Sequence, residues 1–190
     1  MSQPWPFDGL MPMRYGAILA DPPWAYAMRS PKGYDKSPES HYGTMPAEAI
    51  KALPVGHLAG PDCLLFLWST FPHLPLALEV MAAWGFTYKT GGVWTKRWQD
   101  GRLAMGTGYI LRSAAEVFLI GTIGRPQYRS RSVLNAIDSV RREHSRKPDE
   151  ARAMIDRLLP DVEACELFAR EPWVGRDVWG NQTDKFAGMA

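Results

Sequence analysis

Tyr15-Gly16-Ala17-Ile18-Leu19-Ala20 runs directly into Asp21-Pro22-Pro23-Trp24. The first six residues lack polar alternation, the pattern of a short strand buried on both faces. The two prolines end any ladder, because they bring no N–H donors. A strand covered on both sides implies helices on both faces of a sheet. Working outward, the same apolar pattern returns at Cys63–Trp68, Ala115–Ile120 and Cys165–Ala169, with a short last strand at Val178-Trp179-Gly180. Phe86 to Lys96 reads as extended, with Gly91-Gly92 as a bend or bulge.

Helical signals alternate with these runs. Thr44-Met45-Pro46-Ala47-Glu48 has the cap, early proline and early acid of a helix start, and that helix ends near Leu53-Pro54. A second helix is predicted from about Pro72 to Trp84, closed by Gly85 just past its end. Pro148 opens a third, whose apolar stripe is Ala151, Met154, Ile155, Leu158 and Leu159. Residues 1–13 read as an irregular arm, residues 25–44, 97–112 and 121–132 as loops. The expectation is one α/β domain over residues 1–190, a mostly parallel sheet flanked by helices. Ligands in such sheets sit beyond the carboxyl ends of the strands, where Asp21-Pro22-Pro23-Trp24 falls.

Composition narrows the class. The chain has 190 residues, 46% hydrophobic and 22% charged, with a net charge of +2, a typical globular balance. Its two cysteines, Cys63 and Cys165, lie far apart inside apolar runs and read as buried core thiols suited to a reducing compartment. Without a CxxC or Cys/His cluster, no metal site is expected. No run approaches the roughly 18 apolar residues of a membrane span, and no secretory signal opens the chain, so the expected location is cytoplasmic. The eight tryptophans are expected mainly in packing. The four histidines, His41, His57, His73 and His144, read as surface or loop residues. A phosphate loop of the GxxxxGK[ST] type is absent, and Gly106-Thr107-Gly108 lacks the third glycine of a dinucleotide fingerprint.

Asp21-Pro22-Pro23-Trp24 supplies what chemistry on an exocyclic adenine amine requires. The nitrogen lone pair of such an amine is delocalised into the ring. Two acceptors aimed at its two N–H bonds favour a more nucleophilic nitrogen. The Asp21 carboxylate is one acceptor, and the Pro22 carbonyl, its aim fixed by consecutive prolines, is the other. Trp24 offers a flat face to the base.

Ile18-Leu19-Ala20-Asp21-Pro22-Pro23-Trp24 resembles the adenine-N6 methyltransferase family that includes the catalytic subunit of the eukaryotic mRNA adenosine methyltransferase and many bacterial and phage relatives. His41-Tyr42-Gly43-Thr44-Met45, Leu67-Trp68-Ser69-Thr70, Trp94, Lys96, Gly106, Gly108, Arg112 and Glu116 follow the family order. So do Ser145-Arg146-Lys147-Pro148-Asp149-Glu150, Glu166-Leu167-Phe168-Ala169-Arg170 and Asp177-Val178-Trp179-Gly180-Asn181-Gln182. The match runs from about residue 15 to 183. It implies a Rossmann-like class I methyltransferase that uses S-adenosyl-L-methionine, with the catalytic segment ahead of the cofactor segment. It further implies that Asp21, Pro22, Pro23 and Trp24 form the catalytic loop. Asp8, Asp21, Lys147, Phe168, Arg170, Asn181 and Gln182 would contact the cofactor. Arg176 and Gln182 depart from the family's usual aromatic residue and Glu, which touches substrate or cofactor fit. Asp21, where cytosine amino methyltransferases usually carry Ser, favours adenine, and the intact tetrapeptide argues against a non-catalytic nucleic-acid-binding subunit.

Residues 125–147 hold seven basic side chains against two acids. Arg125, Arg129, Arg131, Arg141 and Arg142, extended by Arg97 and Arg112, are the expected phosphate contacts. Trp98 and Tyr109 are candidate stacking groups. The expected partner is nucleic acid, with DNA ahead of RNA by resemblance to compact bacterial and phage members, and with a homodimer or partner subunit also open. A target adenine must be single-stranded or flipped out, with loops 25–44 and 97–112 as gates. A separate target-recognition domain is not expected.

Overall fold

A computed structural model describes residues 4–25, 43–143 and 146–186. The predicted readings at His41-Tyr42 and His144-Ser145, and most of loop 25–44, lie outside them. Seven strands form one sheet: β1 (Tyr15–Ala20), β2 (Ala59–Ser69), β3 (Thr87–Arg97), β4 (Ala115–Ile123), β5 (Ala136–Val140), β6 (Ala164–Leu167) and β7 (Asp177–Trp179). Their order across the sheet is β5-β3-β4-β2-β1-β6-β7. β1 pairs in parallel with β2 and β6, β6 with β7, and β3 with β5, while β4 is antiparallel to both β2 and β3. The sheet is therefore mixed but mostly parallel. The carboxyl ends of the other six strands meet the amino end of β4 along one edge.

The helices cover both faces, as the unalternated strands required. α1 (Ala47–Lys51) and α2 (Leu74–Ala83) supply Ile50, Ala77, Val80 and Met81 to the face of Ile18, Ala20, Leu65 and Leu67. α3 (Glu150–Leu158) lays Ala151 and Ile155 on the opposite face, against Ala17, Leu19, Leu64 and Phe66. Its stripe is the predicted one. α2 also ends as predicted. Gly85 takes φ +84, its N–H reaches the Ala82 carbonyl and that of Phe86 the Met81 carbonyl, so a glycine just past the helix satisfies two orphan carbonyls. The arm at residues 4–14 is irregular but docked, since Phe7 is fully buried and meets Trp179 edge-on at 5.1 Å.

Three expectations need correction. The first helix starts at Ala47 with Pro46 as its cap. Met45 instead bridges to Trp24, its N–H reaching the Pro23 carbonyl at 2.9 Å. The irregularity of β3 falls between Tyr88 and Thr90, not at Gly91-Gly92. Those glycines are there for close packing: a methyl on Gly92 would sit 2.0 Å from the Asn135 carbonyl and 2.3 Å from the Phe118 ring. Finally, β5 was not predicted. Asp138 and Ser139 interrupt its five residues, so it lacks the apolar run that marks the others.

Gly92→Ala should therefore destabilise the fold by about 2 kcal/mol or more, through overpacking against backbone that cannot retreat. A denaturant midpoint equal to that of the wild type would show that β5 yields at this contact.

Candidate active site

All six carboxyl ends and the start of β4 open into one cavity of about 1220 Å³. That is larger than a single drug-sized ligand needs, so there is room for two small molecules side by side. Asp21, Pro22, Pro23 and Trp24 line it after β1, Ser69 and Thr70 at the end of β2, Phe168 and Arg170 after β6, and Asn181 and Gln182 after β7. Lys147 reaches it from the segment ahead of α3, and Arg112, Arg141 and Arg142 lie at its wall.

Asp21 follows Leu19 in the alternation of β1 and so faces the α3 side. Its Oδ2 accepts from Lys147 Nζ at 2.8 Å. Lys147 is also 3.2 Å from Glu116, the second residue of β4, and Glu116 accepts from Lys96 near the end of β3. Four charges of alternating sign thus line up from four elements. Burial pushes the Asp21 carboxyl above the ordinary aspartate value, against the pull of Lys147. Burial also pushes Glu116 up, but Lys147 and Lys96 outweigh it and hold Glu116 at about 2. Glu116 is a site residue to which the sequence reading gave no role. Its signal was an acid one step inside an otherwise apolar strand.

The turn after β1 is fixed. Trp24 N–H donates to the Pro22 carbonyl at 2.8 Å, closing a tight turn over Pro23. This aims the carbonyl and leaves its second lone pair. Trp24 is only 6% exposed; its Nε1 donates to the Trp68 carbonyl at 3.2 Å. The His73 ring stacks on it at 5.9 Å and 18°. His73 is not the expected surface residue. It is 9% exposed and wedged between Thr70 Oγ1 at 2.9 Å and the Ala25 carbonyl at 3.1 Å. Burial lowers its pKa, so it backs Trp24 as a neutral ring.

On the other side, Phe168 adopts φ +63, a left-handed conformation uncommon for a bulky residue, and its ring meets Trp179 edge-on at 5.4 Å. Gly180 lets that turn close, because a methyl there would sit 2.6 Å from the Ala169 carbonyl. Asp8 is exposed and outside the cavity lining, although its neighbour Phe7 packs under Trp179. Arg176 is also outside the lining. It pairs with Asp156 of α3 at 2.8 Å and reaches the Val162 carbonyl, so its departure from the family pattern serves packing rather than the site.

The basic segment divides. Arg125 and Arg129 sit at the far edge of the sheet: Arg125 N–H meets Asp62 ahead of the apolar run of β2, and Arg129 pairs with Asp161 ahead of β6. Arg131 lies in the same β4–β5 connection. β5 then carries the chain across the sheet, so of the five phosphate contacts expected in this segment Arg141 and Arg142 join Arg112 at the cavity, while Arg125, Arg129 and Arg131 do not. Arg97 is outside the lining and is held in a two-pronged pair by Asp138 at 2.6 and 2.8 Å.

Behind Lys147 lies a compact ionic cluster. Glu171 receives Arg146 through Nη2 at 2.6 Å and Nε at 3.0 Å, with Arg142 and Arg152 at 3.9 and 3.8 Å. Arg152 also binds Glu166 at 2.7 Å. Burial pushes Glu166 up to about 7 despite that partner. Arg146 is 7% exposed. Arg146 also donates to the half-exposed Glu143 at 3.1 Å. Glu171→Ala should therefore cost about 2 kcal/mol, because it removes the buried one of the two carboxylates that pair with Arg146. Glu171→Gln, which keeps the shape and one acceptor, should recover part of that loss. Equal unfolding midpoints for all three proteins would mean that Arg146 is satisfied without Glu171.

Among the described residues no group of His, Cys, Asp and Glu could hold a metal ion, and no helix is long and apolar enough to cross a membrane. Both cysteines are buried and free.

Comparison with known proteins identifies the chain's relatives. It is 35% identical over 158 residues to an N(6)-adenosine-methyltransferase MT-A70-like protein of Arabidopsis thaliana, covering 82% of this chain and 22% of that protein. Against the type II methyltransferase M.MunI of Mycoplasma sp it is 32% identical over 199 residues, covering 92% and 82% of the two. Against the N(6)-adenosine-methyltransferase catalytic subunit METTL3 of Homo sapiens it is 32% identical over 177 residues, covering 90% and 28%. The chain thus spans less than a third of these two eukaryotic relatives but most of the Mycoplasma one. The MT-A70 family model matches residues 15–182, which contain all seven strands and every cavity-lining residue, and the chain belongs to the MT-A70 family.

Proposed function

We propose that this chain transfers a methyl group from S-adenosyl-L-methionine to the N6 amine of adenine in DNA. The observation that carries the reading is the pair of acceptors after β1. Asp21 and Pro22, the latter with its carbonyl fixed by Trp24 N–H, both line a cavity large enough for cofactor and base together. Of the relatives named above, the one whose length this chain nearly matches is the type II methyltransferase of Mycoplasma sp, which favours DNA over RNA.

The donor set fits the cofactor. Lys147 offers a cation to a carboxylate, Arg170, Asn181 and Gln182 offer donors and acceptors to ribose hydroxyls, and Phe168 offers an apolar face to a purine. When bound, the cofactor supplies an electrophilic methyl on sulfur. Asp21 takes one N–H of the target amine and Pro22 the other, so the nitrogen becomes more tetrahedral and its lone pair withdraws from conjugation with the ring. The raised proton affinity of Asp21 makes it the better acceptor for the hydrogen that the amine sheds once methylated. Trp24, backed by neutral His73, bounds the base without adding charge. In this reading the catalytic segment at 21–24 precedes the cofactor segment at 147–182, a permuted order for the class. Lys147 has two roles, toward Asp21 and toward the cofactor.

Asp21→Asn should lower the turnover rate about a hundredfold or more while cofactor binding, measured by calorimetry, is largely kept. A variant with wild-type turnover would rule out this role. The pH profile gives a second check. Asp21 must be ionised to accept, so turnover falls on the acid side, at a pH above that of an ordinary aspartate. Lys147 opposes the upward push of burial. In Lys147→Gln at saturating cofactor the acid limb should therefore move to higher pH; a limb that stays or moves down would mean that Lys147 does not tune Asp21.

A further inference from the structure

The loop between β3 and β4 ends in an apolar tip that packing does not explain. Ile110 is 97% exposed and Leu111 81% exposed, side by side. The tip is built rather than loose. Gly106 N–H donates to the Ser113 carbonyl at 2.6 Å and closes the loop at its base. Gly108 tightens it, since a methyl there would sit 1.9 Å from the Leu111 carbonyl. Both apolar residues line the mouth of the cavity that holds Asp21, and exposed Arg112 follows them directly. Arg141 also lines this cavity and lies 4.5 Å over the Trp98 ring.

Two adjacent branched apolar side chains held in water are costly unless something covers them. The flanking arginines specify the cover as a polyanion with an apolar interior. Stacked bases between phosphate backbones have that character. Asp21 lies inside the cavity, beyond the reach of a base stacked in a duplex, so the base must leave its stack and the gap must be filled. Apolar side chains pushed between base steps unstack and kink the duplex in other proteins that distort DNA.

We propose that Ile110 and Leu111 form a wedge that enters duplex DNA beside the target and fills the space of the extruded adenine, while Arg112 and Arg141 hold the flanking phosphates. The proposal rests on the adenine-methylating reading above. It predicts a specific split. Filling the gap helps only where a stack must be broken, so single-stranded DNA should not need the wedge.

The test compares wild type, Ile110→Ser/Leu111→Ser and the conservative Ile110→Met/Leu111→Met. The substrate is unmethylated genomic DNA, native or heat-denatured, with labelled S-adenosyl-L-methionine, and sedimentation is measured for each protein. The serine variant should lose about tenfold or more of its rate on native DNA and little on denatured DNA, the size expected when a base-extrusion step loses its support. The methionine variant should recover most of that rate. An unchanged rate on native DNA overturns the proposal. So does an equal loss on both substrates with a changed sedimentation coefficient, which would make the tip a contact between protein subunits. Wild type that labels only denatured DNA also overturns the wedge while leaving the methyltransferase reading intact. No label in either DNA from the wild type removes the adenine-in-DNA reading, and the wedge with it.

Discussion

A carboxylate drawn half out of water at the end of β1 needs a cation, and most of the structure follows from supplying one. Asp21 sits where burial alone would favour its protonated form. Lys147 at 2.8 Å is its largest counterweight. Lys147 is itself desolvated, and Glu116 at 3.2 Å balances it, with Lys96 behind. The line Asp21–Lys147–Glu116–Lys96 is neutral in sum, which lets four charges share one low-dielectric floor. It also constrains topology. Glu116 is the second residue of its strand, so β4 must begin where the others end. The single antiparallel strand of the sheet is what brings this acid to the carboxyl edge.

The same requirement explains the ionic cluster beneath the floor. Lys147 follows directly on Arg146, and Arg146 is anchored to Glu171 in the turn after β6. Arg152 of α3 reaches Glu166 and the carbonyls of Glu171 and Pro172. One residue on from β6, the backbone is held in the left-handed conformation of Phe168. The helix, the strand end and the lysine are therefore fastened to one another, and the lysine's aim at Asp21 is a property of the assembly rather than of its own flexible side chain.

Local chemistry made much of this legible in the sequence. The buried strands were visible because a sheet covered on both faces leaves no polar alternation. α3 was visible because its stripe keeps the helical period. Asp21-Pro22-Pro23-Trp24 was visible because prolines ending a buried strand mark a fixed turn at a ligand-binding edge. What escaped was information that depends on partners distant in the chain. β5 is short and polar, and it exists because β3 offers it a free edge. Missing it joined Arg125, Arg129 and Arg131 to Arg141 and Arg142 in one basic patch, whereas a strand crossing the sheet sets the two groups at opposite edges. His73 looked like a surface residue because nothing in the sequence around it, just ahead of α2, shows that Trp24 will stack upon it. Glu116 is an acid in an otherwise apolar strand, and its meaning depends on two lysines from other elements.

The division between floor and rim follows from the two kinds of contact that the proposed reaction needs. Hydrogen bonds that reshape a neutral amine gain strength in a dry, low-dielectric place. Contacts to phosphate work through cations that stay partly solvated and release counterions on binding. One surface cannot satisfy both. Here the four-charge line beneath the target is half-buried and neutral in sum. The arginines stand at the wall and mouth, Arg141 on Trp98 and Arg142 tied to Asp149 at 2.5 Å. Under the proposed reading, the backbone of the substrate is held at the mouth by charge. Only an uncharged base then has reason to travel the remaining distance to Asp21.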